Sequence, residues 1–207
     1  MTLLRALFLI LRFHTFGAAA QETPAKVQQG LTPEITEKLR RGGLNIFFRH
    51  GATLHEKDPM ESQTDDPLPA NCALQRNLSR EGVEQMRAIG AAFDALEIPV
   101  GSVRASPLCR CYDSAWHAFG RAERDRNLML NGDTPEGDPS QARPWRHMRN
   151  LGKVPPAALT NSVFISHSRT GEIFGADVLM EGEAVIIEPD GKGGRALLAR
   201  VTADEWR

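Results

Sequence analysis

The stretch Leu44-Asn45-Ile46-Phe47-Phe48-Arg49-His50-Gly51 joins a short apolar run directly to an arginine and a histidine. A short apolar run without polar alternation is typical of a strand that is buried on both faces. Upstream, Thr32 and Pro33 predict the N-cap and first residue of a helix, and Gly42-Gly43 predicts its end. The stretch therefore predicts a buried strand with Arg49 and His50 at its carboxyl end.

Two other apolar runs end in the same way. Residues 100–105 lead into Ser106-Pro107, with Arg110 in the next turn, and residues 162–166 lead into His167. In an open parallel sheet, ligands bind outside the carboxyl ends of the strands. We therefore expect these three strand ends to converge on one site.

Helical patterns lie between the strands, an order that is typical of the α/β class. Ser79 begins an amphipathic pattern that ends before Pro99, and a second helix follows Ser106-Pro107 as far as Gly120.

The remaining segments are less regular. Residues 184–188 and 196–201 predict two strands of a hairpin, and residues 121–160 are predicted to be mostly irregular with a short helix near residues 145–150. Residues 52–78 lack apolar periodicity, and a loop of that length is usually functional or mobile.

Arg49 and Arg110 indicate a site for a phosphoryl group. Guanidinium groups are fork-shaped donors that match phosphate oxygens, and Arg110 lies in the first turn of a predicted helix, whose N–H groups also attract anions. An imidazole among cations tends to stay neutral and keeps a lone pair for attack. We therefore expect His50 to form a phosphohistidine that water hydrolyses, while Arg49, Arg110 and His167 hold the phosphoryl oxygens.

Four segments resemble the motifs of the histidine phosphatase superfamily, which includes phosphoglycerate mutases, acid phosphatases and phosphohistidine phosphatases. They are Phe47-Phe48-Arg49-His50-Gly51, Asn77-Leu78-Ser79-Arg80-Glu81-Gly82, Ala105-Ser106-Pro107-Leu108-Cys109-Arg110 and Phe164-Ile165-Ser166-His167-Ser168. The resemblance implies a three-layer α/β/α sandwich with a mostly parallel central sheet, as in phosphoglycerate mutase. It also implies His50 as the nucleophile, Arg49, Arg110 and His167 as the catalytic phosphate-binding residues, and no metal or cofactor.

The implied activity is that of a metal-independent phosphomonoesterase, a hydrolase acting on a small phosphorylated compound. Ala52-Thr53-Leu54-His55 departs from the mutase pattern, and Ser168-Arg169 departs from acid phosphatases that carry an acid directly after the second histidine. The proton donor therefore stays open among acidic residues of two segments, which are Asp58, Asp65, Asp66, Glu123, Asp133, Glu136 and Asp138. The alternative is a non-catalytic phosphate- or phosphoprotein-binding module that keeps the pocket.

Composition narrows the class of partner. The chain of 207 residues carries 25 Lys plus Arg against 26 Asp plus Glu, which argues against a nucleic-acid binder. Residues 1–20 have the basic, apolar and small-residue order of a signal peptide, with an apolar run too short to span a bilayer. We expect a leader over residues 21–31, one domain over residues 32–207, and a periplasmic or secreted protein. Export and a compact chain resemble small periplasmic members of that superfamily, and this resemblance implies a sugar phosphate of the cell envelope as a candidate substrate. No sequence signal indicates an oligomeric state.

Three cysteines allow one disulfide in an exported protein. Cys109 and Cys111 are too close in sequence to pair with each other, so Cys72 is predicted to pair with one of them; three reduced thiols in a cytosolic enzyme are the alternative. The histidines and cysteines lack the clustered spacing of a zinc site. His55, His117 and His147 are expected on surfaces or helix faces, and nothing in the sequence distinguishes Arg76 from a surface charge.

Overall fold

A computed structural model of the chain describes residues 27–54, 72–130 and 143–207. Within these ranges, seven strands form one sheet of order β1-β7-β6-β2-β5-β3-β4. The strands are β1 Gln28–Gln29, β2 Asn45–Arg49, β3 Val100–Ala105, β4 Glu123–Arg124, β5 Asn161–Ser166, β6 Ala184–Pro189 and β7 Arg195–Val201.

The centre of the sheet is parallel. β2 pairs with β5, and β5 with β3, both in parallel, with Phe47 of β2 opposite Phe164 of β5. β6 runs antiparallel to β2 and forms the predicted hairpin with β7. The mostly parallel sheet is therefore confirmed, and the carboxyl ends of β2, β5 and β3 lie side by side at one edge.

Helices cover both faces of the sheet. They are α1 Pro33–Arg41, α2 Arg80–Ala95, α3 Cys109–Phe119, α4 Arg143–Leu151 and α5 Thr170–Ile173, with short 3₁₀ turns at Cys72–Leu74, Arg126–Leu128 and Ala203–Glu205. One core packs α1, α2 and α3 against Ile46 and Phe48 of β2, and the other packs α4 and α5 against Phe47. Because neighbouring side chains of a strand point to opposite faces, a continuous apolar strand feeds both cores. The three-layer α/β/α sandwich is thus confirmed.

Local signals fix the beginnings of α1 and α2. The Thr32 hydroxyl accepts a hydrogen bond from the Ile35 amide (3.3 Å), and the Ser79 hydroxyl accepts one from the Gly82 amide (3.0 Å). The helix predicted to begin at Ser106-Pro107 begins at Cys109 instead, with Leu108 as an N-cap that makes no side-chain cap bond. The Ser106 hydroxyl instead lies 3.0 Å from Nε2 of His167.

Two short edge strands escaped the sequence analysis. Residues 28 and 29 of the predicted leader pair in parallel with β7, so the sheet extends into that segment. β4 pairs in parallel with β3 inside the region that was predicted to be mostly irregular. Strands of two residues carry no periodic pattern that a sequence could display.

Two glycines of α2 allow close packing against neighbouring main chain. A Cβ at Gly82 would lie 2.0 Å from the Ala52 carbonyl oxygen, and one at Gly90 would lie 2.0 Å from the Ala118 carbonyl oxygen of α3. The first contact holds α2 against the chain that follows His50, and the second holds α2 against α3. Among the described residues, no helix is long and apolar enough to cross a membrane.

Candidate active site

The three predicted strand ends converge at the edge of the sheet. His50 follows β2, His167 follows β5, and Arg110 lies in the first turn of α3 just after β3. The rings of His50 and His167 have centroids 5.9 Å apart, and the Arg110 guanidinium lies 3.5 Å from Nδ1 of His167. The structure therefore brings His50, His167 and Arg110 together, as the parallel topology predicted.

His50 is fixed in one orientation. Its ring is buried, and Nδ1 lies 2.8 Å from the Gly51 carbonyl oxygen. Because a carbonyl oxygen only accepts, Nδ1 of the neutral ring carries the proton and donates it, so Nε2 keeps its lone pair. The main chain is held as well, since the His50 amide donates to Ser166 and its carbonyl accepts from Gly182.

The charge state of His50 follows from its surroundings. Burial lowers the pKa of His50 well below its ordinary value of 6.5, and the positive charge of Arg110 lowers it further. Burial and the same guanidinium also lower the pKa of His167 well below 6.5. Both imidazoles are therefore neutral at neutral pH, and His50 offers a nucleophilic nitrogen.

Arg110 is the most deeply buried cation of the site, with 1% of its surface exposed. Ser114, one turn further along α3, ties this helix to the first motif. Its hydroxyl donates to the Arg110 carbonyl oxygen (2.6 Å) and accepts from the Gly51 amide (3.0 Å). Sequence reasoning missed Ser114, because its partner lies 63 positions away along the chain.

Arg49 lies at the rim of the site. One terminal nitrogen donates to the Leu179 carbonyl oxygen (2.9 Å), and the other lies 3.3 Å from the Glu181 carboxylate. Its Nε–H is buried and has no hydrogen-bond partner within the described part of the chain. Burial lowers the pKa of Arg49, an effect that Glu181 opposes. Arg49 therefore retains an unused donor beside the histidines.

Arg76 is a third cation of the site that sequence reasoning did not separate from a surface charge. Its positive charge acts on Arg49, His50 and His167, lowering the pKa of each, so it lies near all three. Together with Arg49 it lines an open cavity of about 560 Å³ that also contains Glu181. Neither Arg76 nor Glu181 belongs to a strand end, which is why the strand-end argument did not find them.

A disulfide holds the segment that carries Arg76. Cys72 is bonded to Cys109, and the Gln75 side-chain oxygen accepts from the Cys109 amide (2.9 Å). Of the two pairings left open by the sequence, the structure selects Cys109. Cys111 keeps its thiol, which is buried 3.3 Å from the Ser166 carbonyl oxygen.

Of the acidic candidates for the proton donor, the structure describes Glu123. Glu123 is exposed in β4, three strands away from β2. The others, Asp58, Asp65, Asp66, Asp133, Glu136 and Asp138, lie outside the described residues, as does His55.

His147, which the sequence did not place in the site, has Nε2 3.0 Å from the Asp125 carboxylate. Within the described ranges, no group of three His, Cys, Asp or Glu side chains is arranged to hold a metal ion.

Comparisons with known proteins bear on the fold. No protein-family model matches the sequence, and no curated protein matches it. The chain is similar to the solved structure of the protein histidine phosphatase SixA complexed with tungstate, with 15% identity, 79% of this chain and 99% of that chain covered, and a TM-score of 0.53.

Two further solved structures share this architecture. One is a candidate phosphohistidine phosphatase SixA from Agrobacterium tumefaciens, with 11% identity, coverage of 77% and 97%, and a TM-score of 0.51. The other is a candidate alpha-ribazole-5′-P phosphatase from Escherichia coli K-12, with 15% identity, coverage of 78% and 98%, and a TM-score of 0.53. At this level of identity the likeness establishes a common fold.

Proposed function

We propose that this chain, which has the fold of the histidine phosphatases, is a metal-independent phosphomonoesterase that works through phosphorylated His50. The observation that carries the proposal is the buried, neutral His50 with Nδ1 engaged by the Gly51 carbonyl and Nε2 left as the nucleophile beside Arg110 and His167. The similar structures are named as phosphatases, which supports a hydrolase that acts on phosphate monoesters.

In the first step, the lone pair on Nε2 of His50 attacks phosphorus. The bond between phosphorus and the ester oxygen breaks, and the leaving oxygen takes the electron pair and is protonated by solvent water or by the acid that the sequence leaves open. Negative charge on the phosphoryl oxygens is stabilised by the guanidinium groups of Arg49 and Arg110, with His167 as a further polar contact. These donors are already in place before the reaction, so little reorganisation is needed as the charge moves.

In the second step, water attacks phosphorus and the bond between phosphorus and nitrogen breaks. The electron pair returns to Nε2, which restores neutral His50, and inorganic phosphate leaves. The low pKa of His50 favours breaking of the bond between phosphorus and nitrogen, because a buried imidazole beside cations is a weak base and therefore a good leaving group. Arg76 adds positive charge to the same region and is proposed as a further phosphate-binding residue.

The proposed location is the periplasm or the exterior, and the proposed substrate is a small phosphorylated compound such as a sugar phosphate of the cell envelope. The disulfide between Cys72 and Cys109 supports export, because disulfides persist in oxidising compartments and are rare in the cytosol. The signal-like residues 1–20 point the same way, although they lie outside the described residues.

The test is hydrolysis of p-nitrophenyl phosphate by the purified chain with a chelator present. We expect the wild type to turn over and His50→Ala to lose about three orders of magnitude or more in kcat, since it lacks the nucleophile. His117→Ala is the matched control, because His117 lies in the last turn of α3, at the opposite end of the helix from Arg110. Turnover that survives in His50→Ala would refute the phosphohistidine mechanism.

An alkyl phosphate separates the enzyme from a binding module. A good leaving group needs little protonation, whereas an alkoxide needs a proton from the protein. An enzyme with a working acid hydrolyses both esters. A module without one becomes labelled on His50 by p-nitrophenyl phosphate but barely turns over the alkyl ester.

A further inference from the structure

The open cavity lined by Arg49 and Arg76 carries charges of both signs. It shares Arg49 and Arg76 with the candidate phosphate site, so a leaving group attached to a bound phosphate extends into it. Its remaining wall includes two carboxylates, Glu81 and Glu181, and two neutral polar side chains, Thr53 and Gln85. Phosphate-binding cations therefore stand directly beside negative charge.

Glu181 is held firmly in this wall. Its Oε1 accepts from the Thr53 hydroxyl (2.7 Å) and lies 3.3 Å from the Arg49 guanidinium. Its main-chain carbonyl accepts from the Gln85 side-chain amide (3.3 Å), while the Gln85 side-chain oxygen accepts from the Ala52 amide (3.1 Å). The contacts at Oε1 orient the carboxylate, and the bond to the main-chain carbonyl holds the backbone that carries it.

The position of this carboxylate restricts what can leave. Within the described part of the chain, the side-chain contacts of Glu181 all involve Oε1. Oε2 can therefore accept a hydrogen bond from a ligand. A hydroxyl or an ammonium group can donate to it, whereas a carboxylate or a second phosphate meets a like charge. Leu54 and Met180 supply apolar surface in the same cavity.

We propose that Glu181 is a specificity-determining residue that selects phosphate monoesters with hydroxyl- or amine-bearing leaving groups and rejects leaving groups that carry a second anion. This inference rests on the proposed phosphatase activity. It predicts that neutral polyol and amino-sugar phosphates are hydrolysed in preference to phosphorylated sugar acids.

Two pairs of substrates isolate the effect of charge. Sorbitol 6-phosphate and 6-phosphogluconate share an open six-carbon chain and differ at the far end, where an alcohol replaces a carboxylate. Glucosamine 6-phosphate and glucose 6-phosphate differ by an ammonium and a hydroxyl. We expect kcat/KM of the wild type to favour sorbitol 6-phosphate over 6-phosphogluconate by about tenfold or more, and glucosamine 6-phosphate to be at least as good as glucose 6-phosphate.

Glu181→Gln removes the charge and retains the size of the side chain. We expect it to reduce the sorbitol 6-phosphate preference to about threefold or less. The ratio is informative even if the variant disturbs Arg49, because both substrates present the same phosphate. Glu84→Gln is the matched control, since Glu84 is an exposed residue of α2 that pairs with Arg80 outside the cavity and should leave the ratio unchanged.

Salt provides a measurement that needs no variant. The cavity is open to solvent, so raising ionic strength from about 20 mM to about 500 mM should weaken the repulsion and reduce the wild-type preference. Equal kcat/KM of the wild type for sorbitol 6-phosphate and 6-phosphogluconate would overturn the inference. If p-nitrophenyl phosphate is still turned over, that result leaves the proposed function intact. Full discrimination in Glu181→Gln would also overturn the inference, whereas a wild type that turns over neither p-nitrophenyl phosphate nor the sugar phosphates would refute the proposed function itself.

Discussion

Replacing both Cys72 and Cys109 by serine tests how the disulfide connects stability to the site. The two cysteines are 37 positions apart. Opening a loop of that length increases the conformational entropy of the unfolded chain and so lowers the free energy of unfolding by about 4 kcal/mol at 25 °C. In a domain of this size, that loss corresponds to a fall in Tm of about 8 to 16 °C. We therefore expect the double variant to fold but to be markedly less stable.

The same variant should weaken phosphate binding. Cys72 and Gln75 fasten the chain before Arg76 to the start of α3, and the charge of Arg76 acts on both histidines. Releasing this segment removes one cation from the site for part of the time. We expect the inhibition constant of inorganic phosphate to rise by about tenfold, an effect comparable to the loss of one charge-assisted hydrogen bond.

The assay is urea unfolding followed by tryptophan fluorescence, in parallel with inhibition of p-nitrophenyl phosphate hydrolysis by phosphate. The wild type, produced under oxidising conditions, is measured with and without reductant. Ala91→Ser is the control, because Ala91 is exposed in α2 and the substitution leaves the disulfide intact. The reasoning would be refuted if the double variant had the same unfolding midpoint and the same inhibition constant for phosphate as the oxidised wild type.

Three further predictions concern charge and packing. Below pH 6.5, the imidazoles of the unfolded chain bind protons, while buried His50 and His167 do not because their pKa values are lowered. As the pH falls below 6.5, the free energy of unfolding should therefore fall by up to about 2.7 kcal/mol per pH unit from these two groups, and it should recover above pH 6.5. Urea unfolding between about pH 7 and about pH 5 measures this, and a flat profile would contradict the lowered pKa values. Arg76→Ala should raise KM for p-nitrophenyl phosphate by about tenfold and change kcat less, whereas an unchanged KM in steady-state kinetics would remove Arg76 from the site. Gly90→Ala should cost about 2 kcal/mol in urea unfolding, because its Cβ would lie 2.0 Å from the Ala118 carbonyl oxygen, while the exposed control Ala91→Ser should stay within about 0.5 kcal/mol of wild type.

The elements that could be predicted from the sequence are those determined by local interactions. Thr32, Ser79 and Gly120 mark helix ends through bonds to nearby amides or through a left-handed backbone, and these signals need no tertiary contact. The three apolar strands and the polar residues that follow them were equally visible. Because parallel strands align their carboxyl ends, the meeting of His50, Arg110 and His167 could be predicted from the order of elements alone.

Tertiary structure alone decided the features that depend on facing and distance. Cys109 and Cys111 are two positions apart on α3 and therefore point in different directions, so only the packing of the helix shows that Cys109 meets Cys72 while Cys111 meets β5. Arg76 and Glu181 join the site from segments with no motif, and Glu181 reaches Arg49 across 132 positions. Local sequence determines the longer strands and most helix ends, but contacts between distant segments, the two-residue edge strands among them, arise only when the sheet and its two helical layers have assembled.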